Sequence, residues 1–509
     1  MSSRTKHTIN NTISGFVYKI SLIVFPFFTR TLIINYFGIE YLGLNSLFTS
    51  LLQMLSLAEL GLSSAITYCM YKPIAEGRID EINALYNLYR KLYKIIGIVI
   101  LGVGSALSPF LQHLINGTIP IGINIYILYF IFLINTVLSY ILFAYKDCLL
   151  VAHQQSNVSN NINTISTIFL YTIQCVIIIL FKNFYLYSII LPISTLLCNI
   201  IRSYVVDKSF PNIHCKGKIS KEQKKILKKQ IAGLLMYKLT SICRNSWASI
   251  IISSFLGLIV LANYQNYYYI MNSVSSFFAI LTAAATASIG NSLILESKEK
   301  NEDDFYKVSL FYIWAAGICT VLLMFTYQPF MKLWLGSEYM LSFSIVISFC
   351  VLFYISKLGD VIFMYRQAAG LWWEDKYRPV VESVINVILG LVMIKYYGLA
   401  GIIYSTTITI AFINIPWGSY VLFKYYFKKS NITFIVNCII HLSILLIACL
   451  STYFIMRYTS ILQIDNLILN ALTCFVLSNI IFYVLYKKMP RTSQYIGTYT
   501  KIIRKRMKI

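Results

Sequence analysis

Fourteen stretches of about 20 mostly apolar residues, each long enough to cross a bilayer as a helix, follow one another along the chain. They fall approximately at 13–34, 42–69, 95–115, 121–143, 162–181, 185–206, 231–255, 259–290, 308–328, 340–363, 379–396, 399–423, 432–456 and 466–486. Lipid offers backbone amides no water, so such stretches must bond internally as helices, and the expected fold class is an all-α polytopic membrane protein. Of 509 residues 58% are hydrophobic and 12% charged, too apolar a balance for a soluble domain. The formal charge of +24 comes in short basic clusters between apolar runs. A nucleic-acid binder spreads its basic residues over a folded polar surface, so that partner is not expected.

Basic residues also orient the chain. Of the 43 Lys and Arg, thirty-three fall on alternate connections if the N-terminus is cytosolic, four on the others, and six within spans. Asymmetry of this size fits an even number of spans with both ends inside. The first span carries Lys19 and Arg30 and lacks a small-residue cleavage site, so it is expected to stay as an anchor. The spans group as an N-terminal lobe (1–206), a basic cytosolic loop (207–230), a C-terminal lobe (231–423), an appended helix pair (424–486) and a basic tail (487–509). The eighth span is long enough to tilt or break, and Trp372 and Trp373 read as interfacial anchors.

A repeat relates the two lobes. Tyr18-Lys19 recurs as Tyr237-Lys238, and Tyr36-Phe37-Gly38 as Phe255-Leu256-Gly257, both at an offset of 219. Spans 1 and 7 both leave the cytosol, so the repeats share one orientation, as in transporters built from parallel halves.

Charges inside spans are the most informative residues, because each costs roughly 2.5–3.5 kcal/mol at a helix centre and therefore faces water or an opposite charge. At about 100° per residue, Lys19 and Arg30 lie on one face of span 1, roughly 16 Å apart along it, with Pro26 between them as an expected kink. In span 7 the face of Lys238 continues through Ser241, Asn245 and Ser249, and Arg244 points about 120° away. A cationic cavity follows, lined by Lys19, Arg30, Lys238, Asn245 and, less directly, Arg244, and such a cavity attracts anions. The acids Glu59, Asp360 and Glu382 serve either ion coupling or local pairing, Lys357 with Asp360 at i, i+3 and Arg378 with Glu382 at i, i+4. Glu59 is placed to neutralise Lys19.

Neither cofactor nor metal is expected. The eleven cysteines form no CxxC, the five histidines are scattered, no nucleophile or phosphate-loop motif occurs, and Asp303-Asp304 sits in a short charged loop. The outer connections are all short, the longest near Pro329 to Tyr339, which leaves no room for an outward catalytic domain.

The run Tyr36-Phe37-Gly38-Ile39-Glu40-Tyr41-Leu42-Gly43-Leu44-Asn45, followed by Leu55-Ser56-Leu57-Ala58-Glu59-Leu60-Gly61 and Tyr71-Lys72-Pro73-Ile74-Ala75, resembles Wzx-type polysaccharide (O-antigen or capsule) flippases of the multidrug/oligosaccharidyl-lipid/polysaccharide exporter superfamily. Softer matches are Phe255-Leu256-Gly257, Asn263-Tyr264-Gln265-Asn266-Tyr267 and Tyr377-Arg378-Pro379 with Glu382 and Asn386. The resemblance implies two six-helix lobes in a V-shaped exporter arrangement plus two C-terminal helices. It also implies alternating access in a bacterial cytoplasmic membrane and outward movement of an undecaprenyl-diphosphate-linked oligosaccharide. Membrane lipids and other polysaccharide assembly proteins are the implied partners. Relatives often carry an acid shortly after the asparagine of span 7, and Asn245-Ser246-Trp247-Ala248 has none. Tyr264, Tyr267, Tyr268 and Tyr269 are placed either to stack on sugars or to pack. Two other readings stand beside the flippase: a multidrug exporter of the same fold, which would want acids in its cavity, and a membrane polysaccharide polymerase or ligase, which would want a larger outer loop.

Overall fold

A computed structural model describes residues 3–56, 62–117, 119–120, 122–220, 224, 227, 246–461, 467–489 and 492–497. No strand occurs among the described residues. Eleven of their helices are long and apolar enough to cross a membrane, or twelve when one bent pair is taken as a single span. The expected count of fourteen is not reached, because the spans at 42–69 and 231–255 run through 57–61 and 228–245, outside the described residues.

In chain order the helices are α1 (Ser3–Tyr36), α2 (Ile39–Leu55), α3 (Leu62–Ala75), α4 (Ile79–Leu107), α5 (Ile125–Ile141), α6 (Asp147–Ala152), α7 (Ser156–Phe181), α8 (Phe184–Ser209) and α9 (Ser246–Leu256). There follow α10 (Leu258–Leu295), α11 (Lys298–Trp334), α12 (Phe343–Ala368), α13 (Arg378–Tyr397), α14 (Leu399–Thr409), α15 (Ile415–Leu422), α16 (Ile432–Ile461) and α17 (Leu467–Lys487). The eighth span, expected to tilt or break, is the unbroken α10. The fourth instead bends by 42° after Ile141, where Phe143 takes a left-handed φ of 59°. By contact the chain divides into two compact units, Met1–Ala262 and Asn263–Ile509.

In the first unit α1 is fixed to α7 along one face. Asn11 donates to the Gln154 carbonyl at 3.0 Å and accepts from the Asn157 amide at 2.7 Å. Asn160 donates to Ser14 at 3.2 Å, Thr29 meets Cys175 at 3.7 Å, and the rings of Phe25 and Tyr171 stack. Residues 11, 14, 25 and 29 recur at helical spacing, so the adjacent face of α1, about 100° round, is left for another use. Asparagines cap the starts of α5 and α8: Asn124 accepts from the Tyr126 amide at 3.0 Å and Asn183 from the Tyr185 amide at 2.9 Å. At the other end a polar network holds the bend. Lys146 pairs with Asp207 at 2.6 Å, and Arg202 contacts Asp147 at 3.2 Å and Asn163 at 2.7 Å. Gly43 permits α2 to touch the start of α10, since a Cβ there would meet the Leu258 carbonyl oxygen at 2.4 Å.

The second unit is built round α11. Phe305 packs against Tyr365, Phe423, Phe427 and Phe434, and Gly317 sits against the Phe482 ring, so α16 and α17 close on α11. A buried charge network joins α12 to α13. Asp375 takes Arg366 at 2.8 Å and Arg378 at 2.9 Å, while Glu382 takes Arg378 and Asn414, each at 2.7 Å. All four charged groups are buried.

Candidate functional site

The second face of α1 borders a cavity of about 500 Å³ inside the first unit, within the range of small-molecule sites. Pro26, Thr29, Arg30 and Ile33 line it from α1, and Leu42, Asn45, Thr49, Leu52, Gln53 and Ser56 from α2. Opposite stand Phe132, Asn135 and Thr136 of α5, Tyr171 and Gln174 of α7, and Tyr187 and Leu191 of α8. Among the described residues Arg30 is the one formally charged member of this lining, and no acid belongs to it. The site is therefore cationic and otherwise rich in neutral hydrogen-bonding groups, a combination suited to a polar anion and unsuited to an organic cation.

Several of these groups are held in place by their neighbours. Thr195 donates to Asn135 Oδ1 at 2.7 Å, which leaves the Asn135 amide nitrogen as the group to offer a ligand. Asn45 donates to the Tyr187 hydroxyl at 3.4 Å. Gln174 donates from Nε2 to the Tyr187 carbonyl at 3.2 Å, and its side chain is wholly buried.

Lys19 lies outside this lining, but at about 100° per residue it falls between Pro26 and Arg30 on the helical wheel. It continues the cavity-facing stripe of α1 toward the N-terminus, and it is exposed. Pro26, expected as a kink, sits inside a helix that continues through it. Glu59, Lys238, Arg244 and Asn245 lie outside the described residues.

The remaining acids of the sequence reading are ion-paired in the second unit. Lys357 meets Asp360 at 2.6 Å, and Tyr312 also donates to Asp360 at 3.0 Å. Glu382 belongs to the Arg378 network. Of the span 8 tyrosines, Tyr264 and Tyr267 are buried: Tyr264 packs on Phe349, and Tyr267 donates to Gln328 at 2.8 Å. Of the two roles open to these rings, packing is the one they take. What the sequence reading missed is the neutral part of the cavity, Asn45, Asn135, Tyr171, Gln174 and Tyr187. Its available signal was an amide in the middle of a span, as in Tyr171-Thr172-Ile173-Gln174-Cys175.

No protein-family model and no curated protein matches the sequence. Solved structures match the fold. The lipid II flippase MurJ in an inward closed conformation superposes with a TM-score of 0.65 at 15% identity, over 94% of this chain and 98% of that one. An inward-facing multidrug resistance MATE family transporter of the MOP superfamily gives 0.61 at 14% identity, over 82% and 99%. A MOP superfamily transporter from Pyrococcus furiosus, reported with a binding pocket of reversed polarity, gives 0.56 at 12% identity, over 84% and 97%. The chain is thus an all-α, multi-pass membrane protein with the fold of the multidrug/oligosaccharidyl-lipid/polysaccharide exporter superfamily. The exporter-superfamily fold expected from the span 1–2 motif is the one found.

Proposed function

We propose that this protein is a flippase that moves an undecaprenyl-diphosphate-linked oligosaccharide from the inner to the outer leaflet of a bacterial cytoplasmic membrane. The observation that carries this reading is the cavity of the first unit, where neutral hydrogen-bonding groups stand among apolar ones and Arg30 is the one charged residue among the described lining residues. A diphosphate sheds water on entering such a site, and fixed positive charge must replace what it loses. Arg30 and Lys19 share one stripe of α1, and Lys238 supplies the equivalent charge of the second repeat. The polyprenyl tail remains in lipid while the headgroup passes by alternating access. Support comes also from the fold shared with a lipid II flippase. An exporter of cationic drugs needs acids in its cavity, and this lining has none among the described residues. The lobes are 1–206 and 231–423, and Glu59 serves ion coupling or pairs with Lys19.

Native mass spectrometry of the purified protein tests this. A bound species with the mass of undecaprenyl diphosphate plus sugars is expected. Binding of organic cations in preference to that lipid would contradict the reading.

Both termini are cytosolic on this proposal. In a cysteine-free background, single cysteines at the exposed positions Asn116 and Glu338 react with an impermeant thiol reagent in intact cells, and those at the exposed Lys91 and Lys216 stay silent. The reverse pattern inverts the topology.

A further inference from the structure

The cavity holds more hydrogen-bonding capacity than one anion requires. Gln174 is 0% exposed, and its Oε1 has no hydrogen-bond partner. Its amide cannot simply be turned round, because Nε2 is the atom that donates to the Tyr187 carbonyl. A buried acceptor left unpaired is costly, and where one borders a cavity it asks for a donor from a ligand. A phosphate or diphosphate at neutral pH has acceptors to offer and almost no donors. The group that meets Gln174 must therefore be a different part of the ligand, one that carries O–H or N–H.

Around Gln174 the cavity offers complementary chemistry. Asn135 presents an amide N–H, since its oxygen is taken by Thr195, and Gln53 and Thr49 are exposed on the α2 side with both donor and acceptor capacity. Neutral groups that both give and take hydrogen bonds, beside the one cation of the described lining, match a sugar ring joined to a phosphate. We infer that this cavity is a saccharide subsite: Gln174 Oε1 accepts from a hydroxyl or amide N–H of the sugar nearest the diphosphate, Asn135 and Gln53 donate to its oxygens, and Arg30 holds the adjoining phosphate. The inference rests on the flippase reading and adds that the protein recognises the sugar itself and not the lipid diphosphate alone.

The test measures binding of four lipids to the purified full-length chain in nanodiscs: undecaprenyl diphosphate, and the same lipid bearing one glucose, galactose or N-acetylglucosamine. At least one sugar-bearing lipid should bind about tenfold more tightly than the bare diphosphate, the size expected for one or two hydrogen bonds to buried groups. Gln174→Met should bring that ratio to about one with the affinity for bare lipid unchanged, and should shift the melting temperature only slightly, because loss of the Nε2 bond to the Tyr187 carbonyl is offset by removal of the unpaired buried acceptor. Gln53→Ala, at an exposed position, should reduce the same ratio with no effect on folding. Equal affinity of the native protein for all four lipids overturns the subsite. So does an unchanged ratio in both variants, or a Gln174→Met variant that loses melting temperature and all four affinities together while Gln53→Ala keeps the native ratio. Failure of every lipid to bind the native protein would instead contradict the flippase reading itself.

Discussion

Arg30→Ala is expected to reduce transfer of the lipid-linked oligosaccharide by about two orders of magnitude at unchanged protein level. Arg30 is the only cation among the described residues of the lining, so its loss removes the positive charge they supply. Each charge-assisted hydrogen bond contributes roughly 1.5–3 kcal/mol, and two of them from one guanidinium account for a loss of that size. Arg30→Lys should retain part of the activity, since it keeps the charge and loses the two-pronged geometry. Lys19→Ala should also lower transfer strongly, for it lies on the same stripe of α1 at a different depth. If Lys19 serves only to neutralise Glu59, changing both to neutral residues restores transfer that either single change removes. Rescue of that kind would remove Lys19 from the substrate path and leave Arg30 in it. Transfer rates in proteoliposomes, normalised to protein, distinguish these outcomes.

The largest stability effect is expected at Arg378. Its side chain is 1% exposed and bridges Asp375 and Glu382, both buried. Arg378→Met keeps the volume and takes from Glu382 and Asp375 the guanidinium they share. Breaking a buried pair from one side typically costs 3–5 kcal/mol, because the surviving charge stays desolvated. The variant should melt well below the native protein in detergent, or fail to accumulate. Adding Glu382→Gln to it should recover much of the loss, since the orphaned charge is then gone. A single variant as stable as the native protein would mean that the network contributes little to the second unit.

These expectations differ in how far the sequence alone foretold them. Membrane spans were legible because lipid imposes one rule on every stretch: enough apolar residues, and backbone bonds closed within the helix. The motif from Tyr36 to Asn45 pointed to the exporter fold, and Lys19 and Arg30 were singled out because a charge in an apolar span is costly. Pairing of Lys357 with Asp360 and of Arg378 with Glu382 followed from helical spacing. Asp375 and Arg366 escaped because nine residues and a turn separate them, and no local periodicity relates positions on different helices. Gln174 and Asn135 escaped for another reason. A neutral amide in a span is common enough to pass as packing, and only the assembled bundle shows which amides border the same space as Arg30. The bend after Ile141 was hidden as well, since Phe143 is an unusual residue for a left-handed φ and carries no turn signal.

The central claim is that the protein carries a lipid-linked oligosaccharide across the bilayer without altering it. The direct measurement is transfer of a labelled undecaprenyl-diphosphate oligosaccharide in vesicles containing only the purified protein, with leaflet location read by an impermeant reagent and mass read afterwards. The lipid should cross far faster than in protein-free vesicles, at unchanged mass, and Arg30→Ala should return the rate nearly to that background. Transfer no faster than in protein-free vesicles, or a product of altered mass, would contradict the account.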